Sequence, residues 1–413
     1  MRQVIYFLLI SIIYQAQLSA QWQNVEAIPN EIIYSLTQTN GVFITGSNNK
    51  VYLSDDNGSS WSASSIISHN SASGEAAIIF NDHLFVGTTP TGVFKSTDNG
   101  LTWIELNNGF IGLGSNGISS FVIRDGILYC STFGAGVFYL NNSNGEQWVP
   151  YQDNFPVGLS GTVTDLILNN GTLISSGGGN GFIYRNESGT TQWNEVFVFN
   201  PLPNSFVVSD LYSNDNFIFA GSNFKIHSSS DNGLTWNYLF DGLPNGFDYY
   251  LAGASGKIYA LTNGTSGSAL FVSDNTGASW NYVNNLSTPY VYRIEVIGDK
   301  LFAAAETGLY YILLSAVSVD DKPYSANDFK LYQNYPNPFN SNTKISWHSP
   351  IASWQTLKVY DLLGNLITVL IDEYKPAGSY AVSFNTSELT SGMYFYTLQI
   401  GNYSDTRKML LLR

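Results

Sequence analysis

Two aspartates occupy matching places in similar segments of the chain, Val163-Thr164-Asp165-Leu166 and Val208-Ser209-Asp210-Leu211. Tyr250, Tyr292 and Arg293 fall at comparable points of two later segments. Carboxylates and a guanidinium hold polar ligands by hydrogen bonds, and aromatic faces stack on sugars or peptides. We therefore take these five side chains as candidate ligand-binding residues.

Two other roles remain open for the aspartates. With Glu295 they could supply the pair of carboxylates that hydrolysis of a glycosidic bond requires. They could instead accept hydrogen bonds from backbone N–H groups and have only a structural role. An acidic chain offers such acid trios by accident, so the sequence names no catalytic residue.

Other reactive side chains are sparse. The single cysteine, Cys130, can form no internal disulfide and no cysteine-rich metal site. The four histidines, His69, His83, His227 and His348, lack the spacing of metal ligands. No nucleophile elbow or phosphate-binding loop occurs in the sequence. We expect neither a metal nor a cofactor.

The charge is unevenly placed. Residues 22–318 hold 8 Lys and Arg against 23 Asp and Glu, whereas residues 319–413 hold 8 of each, within a total net charge of −14. An acidic surface repels phosphate backbones, so nucleic acid is excluded as a partner. The low charged fraction of 12%, with 15% aromatic residues and 38 glycines, indicates an ordered, turn-rich β protein.

The elements that position the candidate residues belong to a repeat. Seven tryptophans are separated by 39, 42, 45, 45, 43 and 44 residues. They are Trp22, Trp61, Trp103, Trp148, Trp193, Trp236 and Trp280. Repeats of this length, each reading as four short strands, are typical of the blades of a β-propeller.

A polar turn precedes four of these tryptophans, as in Ser96-Thr97-Asp98-Asn99-Gly100-Leu101-Thr102-Trp103. In such a turn Asp accepts hydrogen bonds from backbone N–H groups, Gly supplies a positive φ, and Trp anchors the next strand. We predict this structural role for Asp56, Gly58, Trp61, Asp98, Gly100, Trp103, Asp231, Gly233, Trp236, Asn275, Gly277 and Trp280.

The turn sequence resembles the Asp-box, or BNR repeat, of sialidases, sortilin-type receptors, some glucan hydrolases and photosystem assembly factors. The resemblance implies that ligands meet the face opposite the boxes. A sialidase would need three convergent arginines, and the repeat region holds only Arg124, Arg185 and Arg293. Arg124 and Arg185 adjoin turns at the box end, which argues against a sialidase.

The repeat predicts seven blades closed by the N-terminus. After Trp280 three strands remain, Tyr292–Ile297, Leu301–Ala304 and Leu309–Leu314, and the fourth strand of that blade is missing. Trp22–Glu26 reads like the outer strand of the other blades. We therefore expect Trp22–Glu26 to pair with Leu309–Leu314 and leave no open edge.

The last 85 residues form a second module. Alternating apolar residues between Pro, Gly and Asn turns predict a small antiparallel β-sandwich over residues 329–413. Its motifs include Asn334-Tyr335-Pro336-Asn337-Pro338-Phe339-Asn340, Leu357-Lys358-Val359-Tyr360-Asp361-Leu362-Leu363-Gly364 and Leu389-Thr390-Ser391-Gly392-Met393-Tyr394.

These motifs, in this order, resemble the type A C-terminal sorting domain of the type IX secretion system of Bacteroidetes. The resemblance implies Sec export, recognition by the outer-membrane secretion machinery, and release or attachment at the cell surface. Ser341 stands where that family often has proline.

The N-terminus predicts a signal peptide. Arg2 precedes an apolar run from Val4 to Ile13, which is too short to span a bilayer, and Ser19-Ala20 offers a cleavage site. We expect no membrane span. The predicted organisation is a signal peptide over 1–20, a propeller over 21–314, a linker over 315–328 and the sorting domain over 329–413.

The sequence favours an exported binding module for a glycan or a protein. The alternative is a secreted glycosidase acting on neutral polysaccharide. We expect a monomer whose ligand meets loops that lead into the first strand of each blade. These loops are Asn107–Gly117, Tyr151–Thr162, Phe199–Phe206, Phe240–Tyr250 and Asn284–Tyr292.

Overall fold

The computed structural model describes most of the two predicted modules. The described residues are 21–67, 72–110, 117–143, 145–151, 153, 155, 162–177, 181–198, 207–214, 216–223, 226–239, 243, 248–264, 267–274, 276–288, 290–317, 329–349, 353–375, 378–386, 389–401 and 403–412. The predicted signal peptide, most of the linker and large parts of the loops leading into the blades lie outside them.

Within the described residues, the strands between Gln23 and Leu313 form seven four-stranded antiparallel sheets. The first strands are β2 (Ile33–Thr39), β6 (Ser73–Phe80), β10 (Ile118–Arg124), β14 (Leu166–Asn169), β18 (Val208–Ser213), β22 (Tyr249–Ala254) and β26 (Val291–Ile297). The second strands are β3 (Val42–Ser47), β7 (His83–Thr89), β11 (Ile127–Thr132), β15 (Thr172–Gly177), β19 (Ile218–Ser222), β23 (Lys257–Thr262) and β27 (Lys300–Ala305).

The remaining strands complete each sheet outward. The third strands are β4 (Val51–Ser54), β8 (Gly92–Ser96), β12 (Gly136–Asn141), β16 (Phe182–Asn186), β20 (Ile226–Ser229), β24 (Ser268–Ser273) and β28 (Gly308–Leu313). The outer strands are β5 (Ser62–Ala63), β9 (Ile104–Glu105), β13 (Gln147–Pro150), β17 (Asn194–Val198), β21 (Asn237–Leu239), β25 (Asn281–Leu286) and, for the last sheet, β1 (Gln23–Asn24).

The sheets close into a ring. Each first strand contacts the first strand of the next sheet, in the order β2, β6, β10, β14, β18, β22, β26 and back to β2. This is the arrangement of a seven-bladed β-propeller, in which the first strands surround a central channel. We number the blades from 1, which begins with β2, to 7, which begins with β26.

The N-terminal strand closes blade 7, which confirms the predicted pairing. In the β1–β28 ladder Gln23 pairs with Tyr311 and Asn24 with Tyr310, and the Val25 N–H donates to the Leu309 carbonyl at 2.8 Å. Blade 7 therefore has its fourth strand without borrowing from another chain.

Tight turns and apolar layers explain why the blades form locally. Asn40-Gly41 and Asn170-Gly171 join first to second strands with positive φ at both residues, as a two-residue hairpin requires. Between blades 1 and 2, buried side chains of both sheets share one cluster that includes Ile44, Val51 and Val86. Each blade thus buries its face against the next one.

The C-terminal module is a separate β-sandwich. One sheet consists of β29 (Lys330–Leu331), β30 (Asn342–Ser349) and β33 (Gly378–Asn385). The other has the order β32 (Leu366–Lys375), β31 (Ser353–Tyr360), β34 (Gly392–Ile400) and β35 (Tyr403–Leu411). A single core of buried side chains from both sheets, among them Trp347 and Tyr396, holds them together.

Helix is nearly absent from the described residues, where the one assigned helix is the 3-10 turn Leu314–Ala316. Across those same residues, no helix has the length and apolar character needed to cross a membrane.

Candidate functional site

The central channel of the propeller contains a cavity with a volume of about 370 Å³. First strands of six blades line it, and its polar lining includes Ser35, Glu75, Ser119, Ser120 and Arg293. The first strand of a blade is the one whose alternate side chains point into the channel.

A β-bulge marks the start of the first strand in blades 1, 2, 3, 5 and 7, where the pairing with the second strand skips one residue. The skipped residues are Tyr34, Glu75, Ser119, Ser209 and Tyr292. A bulge changes the direction in which the following side chains point. We call these residues the bulge positions.

The residue after the bulge, or the matching residue in blades 4 and 6, has an equivalent place in every blade. We call these seven residues the channel ring. They are Ser35, Ala76, Ser120, Asp165, Asp210, Tyr250 and Arg293. Four of the five candidate ligand-binding residues are therefore structurally equivalent. The fifth, Tyr292, is a bulge position.

Arg293 joins both aspartates across the channel. Its Nη1 lies 3.3 Å from Asp165 Oδ2 and 3.2 Å from Asp210 Oδ1. Blade 7 is adjacent in the ring to neither blade 4 nor blade 5, so the guanidinium links sheets that are not neighbours. When both carboxylates are ionised, one cation between them leaves this group of three with a net negative charge.

The same carboxylates accept hydrogen bonds from the backbone of the next blade. Asp165 Oδ2 accepts from the Leu211 N–H at 3.0 Å, and Asp210 Oδ2 accepts from the Leu251 N–H at 2.7 Å. Leu211 and Leu251 each follow the channel-ring residue of the neighbouring first strand. The acids therefore connect blade 4 to blade 5 and blade 5 to blade 6.

Burial changes what the aspartates can offer a ligand. Asp165 is 0% and Asp210 is 1% exposed, whereas the Arg293 side chain is 29% exposed and lines the cavity. The sequence placed both carboxylates on one side of the channel mouth and left a structural role open for them, and in the structure both are buried. Both carboxylates are turned against Arg293 and the backbone of the next blade.

Two acids near Arg293, Asp210 and Glu295, have altered proton affinities. Burial raises the pKa of Asp210 to about 7, against the opposing effect of Arg293. Glu295, two residues along β26, also has its pKa raised to about 7 by burial, again opposed by Arg293. Each group can exchange a proton near neutral pH.

Tyrosines gather at the mouth beside the bulge positions. The ring centroids of Tyr34 and Tyr292 are 5.4 Å apart, and those of Tyr290 and Tyr292 are 4.9 Å apart. The Tyr290 hydroxyl donates to Asp248 Oδ2 at 3.2 Å, and its oxygen lies 3.4 Å from that of Tyr250. Tyr250 itself is 8% exposed, so its ring supports the cluster from behind.

Sequence reasoning missed Glu75, Asp248 and Tyr290 as part of this mouth. Aligning the first strands by their hairpin turns would have put Tyr34, Glu75 and Tyr292 in one register, because each stands six residues before the turn that ends its strand. No comparable signal marks Asp248 or Tyr290, which lie just before their strands.

The polar turns lie between third and outer strands, and their geometry is uniform. Asp98 Oδ1 accepts from the Thr102 N–H at 2.8 Å, Asp98 Oδ2 accepts from the Thr102 hydroxyl, and the Gly100 N–H donates to Ser96 Oγ at 2.8 Å. Gly100 has φ 84°. These three bonds all lie within the turn itself.

The same bonds recur in the other turns. Asp56 and Asp231 accept from the backbone four residues later, at 2.8 Å each. Gly58, Gly233 and Gly277 have φ values of 76°, 84° and 86°. Asn275 lies outside the described residues. A Cβ on Gly58 would lie 2.5 Å from the Phe302 ring, so this glycine also permits close packing.

The tryptophans after the turns differ in burial. Trp280 is fully buried and Trp236 is 9% exposed, while Trp61 and Trp103 are partly buried. The Trp61 and Trp236 indole N–H groups donate to the turn carbonyls of Gly58 and Gly233 at 3.3 and 3.1 Å.

The other two propeller arginines have structural partners. Arg124 is 4% exposed and donates to Asn186 Oδ1 at 2.7 Å and to the Tyr151 hydroxyl at 2.9 Å. Arg185 is 6% exposed and donates to the Asn232 carbonyl at 2.9 Å. Arg124 therefore bonds to the end of strand β16 in the next blade, and Arg185 bonds to the polar turn of the next blade. Of the three arginines, only Arg293 lines the cavity.

Among the described residues, no three His, Cys, Asp or Glu side chains are grouped so that they could hold a metal ion. Among the same residues, the groups that line the cavity are one carboxylate, one guanidinium, hydroxyl and amide side chains and apolar side chains, with tyrosine rings at the mouth.

A ring of seven four-stranded blades followed by a β-sandwich with sorting motifs defines an exported β-propeller protein. Residues 18–239, just over half of the chain, match the family described as the DUF6242 beta propeller domain, and the chain belongs to that family. Residues 333–412 match the secretion system C-terminal sorting domain, which implies export to the cell surface or the extracellular space.

Solved structures share the fold at low sequence identity. PorZ, an essential bacterial surface component of the type-IX secretion system of Porphyromonas gingivalis, is 17% identical with a TM-score of 0.51 over 93% of this chain. YCF48 bound to D1 peptide is 17% identical with a TM-score of 0.56, covering 70% of this chain and 95% of that one.

The extracellular domain of BT4673 from B. thetaiotaomicron is 14% identical with a TM-score of 0.56 over 95% of this chain. The chain spans 60% of the PorZ structure and 59% of the BT4673 structure. No curated protein matches the sequence.

Proposed function

We propose that the propeller is a binding module for a protein or a glycan outside the cell, delivered there by the sorting domain. The observation that carries this proposal is the mouth of the channel, where the partly buried rings of Tyr34 and Tyr292 stand next in the chain to Ser35 and Arg293, which line a polar cavity of about 370 Å³. Concave sites with aromatic walls and a few polar groups are the usual form of a ligand site.

The buried acids support binding rather than hydrolysis. A glycosidase needs two carboxylates that reach the scissile bond from either side. Asp165 and Asp210 are buried and engaged with Arg293 and with backbone N–H groups. A substrate would have to displace these bonds before it met either acid.

The glycosidase alternative retains one supporting observation. Burial raises the pKa of Glu295 to about 7, a value that suits a general acid at neutral pH. This alternative predicts turnover that depends on Glu295.

Two of the similar structures come from proteins whose location or bound partner agrees with the proposal. PorZ is a surface component, and the YCF48 structure contains a peptide, so this fold serves at surfaces and in peptide binding in those proteins. At 17% identity neither identifies the ligand of this chain.

The test uses the mature full-length chain on a glycan array and a peptide array, with a panel of chromogenic glycosides in parallel. We expect binding on one array that Tyr292→Leu weakens and that Tyr238→Leu, on outer strand β21, leaves unchanged. Turnover of a glycoside that Glu295→Gln abolishes at an unchanged melting temperature would overturn the proposal in favour of the enzyme.

A further inference from the structure

We infer that the mouth of the channel binds a cationic side chain, lysine or arginine, presented by a peptide. This inference rests on the proposed function as a binding module and names its ligand class. We call Tyr292, Tyr34 and Glu75 together the arc. The ligand side chain would lie against the two tyrosine rings and point toward Glu75.

The three bulge positions of blades 7, 1 and 2 form this arc. Tyr292 and Tyr34 belong to neighbouring blades and their ring centroids are 5.4 Å apart. Glu75, in the next blade, is partly buried and lines the cavity, and its charge acts on both tyrosines. The bulge positions of blades 3 and 5 are instead Ser119 and Ser209, so the arc occupies only one side of the channel mouth.

The hydroxyl groups of Tyr34 and Tyr290 already donate hydrogen bonds, so neither hydroxyl is free to donate to a sugar. Tyr34 donates to Asn48 Oδ1 at 3.1 Å, and Tyr290 donates to Asp248 Oδ2 at 3.2 Å. Asp248 Oδ1 also accepts from the Ser209 hydroxyl at 3.0 Å. A sugar would require free donors and acceptors at its ring edge, whereas a cation requires aromatic faces and negative charge.

The charge balance at the mouth is negative. Arg293, the cation of the cavity, is already paired with Asp165 and Asp210. Among the described residues, no Lys or Arg side chain lies within ion-pair distance of Glu75 or Asp248. A narrow acidic channel concentrates its field on the entering group, which favours a long cationic side chain.

The experiment measures binding by calorimetry on the mature full-length chain. The probes are three pentapeptides blocked at both ends, each with four glycines around a central lysine, arginine or norleucine. We expect the lysine or arginine peptide to bind at least about tenfold more tightly than the norleucine peptide, since charge and cation–π attraction are both lost with norleucine. Added salt should weaken that binding.

Variants of the arc separate its two contributions. Glu75→Gln and Tyr292→Leu should each weaken binding of the cationic peptide by about fivefold or more, while Tyr292→Phe, which keeps the ring, should retain it. Asp55→Asn, which removes an exposed negative charge in a turn of blade 1, is the matched control for net charge and should have no effect. Melting temperatures verify that each variant is folded.

The outcomes distinguish this inference from the proposed function. Equal binding of the norleucine peptide, or no binding of either cationic peptide, overturns the inference. If a neutral glycan then binds in a Tyr292-dependent way on the array, the binding module stands with a different ligand. If no glycan or peptide binds, both proposals fail.

Discussion

The polar turns and the channel ring use the same residue type in opposite ways. In the turns, Asp56, Asp98 and Asp231 accept hydrogen bonds from residues at most four positions away, and each is exposed or only partly buried. In the ring, Asp165 and Asp210 are buried, and their partners in other blades lie 41 to 128 residues away. The aspartates of the turns bond within one loop each, whereas the aspartates of the ring fix blades to one another.

This contrast predicts different energetic consequences. An exposed acid in a local turn keeps water as an alternative partner, so losing it costs little. A buried acid or cation has no such alternative, and its removal leaves partners unsatisfied. Four variants or conditions test the contrast, in decreasing order of expected effect.

Arg293→Met should have the largest effect. It leaves the two buried carboxylates without their cation, and we expect a loss of about 3 kcal/mol in the free energy of unfolding. Chemical denaturation of the mature chain measures it. Arg407→Met, which removes an exposed ion pair of the sorting domain, is the control and should leave the propeller transition unchanged. A loss as small as that of the control would show that the ring does not depend on Arg293.

Asp210→Ala should come next. It leaves the buried Leu251 N–H without its acceptor, which costs about 1–3 kcal/mol. Asp210→Asn keeps an acceptor oxygen at that place and should cost less. Denaturation of both variants, with peptide or glycan binding measured alongside, also addresses the ligand role. Lost affinity at unchanged stability would show that Asp210 serves a ligand and not the neighbouring blade.

Stability should fall as the pH rises from about 5 to about 7. In the folded state the pKa values of Asp210 and Glu295 are raised to about 7, above the values of about 4 expected in an unfolded chain. Over this range the folded state therefore binds more protons than the unfolded state, and stability decreases until both groups are ionised. Glu295→Gln should reduce the slope. Melting temperatures that rise over this range would contradict the burial of these acids.

Asp98→Asn should have the smallest effect, confined to the turn. Hydrogen bonds from Thr102 lower the pKa of Asp98 to about 2, so its contribution is present above about 3.8 and is lost as the pH falls toward 2. We expect the melting temperatures of variant and wild type to differ slightly at neutral pH and to converge in acid. Asp55→Asn serves as the control. A loss of stability as large as that of Arg293→Met would show that an acid with local partners matters as much as one with partners in other blades.

The repeat pattern allowed much of the fold to be predicted. Tryptophan spacing and hairpin turns such as Asn40-Gly41 repeat within about 45 residues, so residues close together in the sequence specify each blade. The closing strand at Gln23 could be found because the last blade lacked one strand and the N-terminus had the matching sequence. The C-terminal sorting module could also be predicted, because its motifs are short stretches of adjacent residues.

The same repeat register aligns Asp165, Asp210, Tyr250 and Arg293, because each stands at a matching distance from the turns of its own blade. Local sequence therefore determines which residues are equivalent among the blades. It could not determine that Arg293 reaches both acids, because 128 residues separate Arg293 from Asp165 and only closure of the ring brings blade 7 opposite blades 4 and 5.

The folded ring also decides which side chains reach the mouth. A strand alternates its faces with a period of two, and a bulge shifts that period by one residue. Tyr34, Glu75 and Tyr292 are placed by such bulges, so strand patterning in the sequence cannot assign their faces. Pairing with the second strand, together with the neighbouring blade, fixes them there.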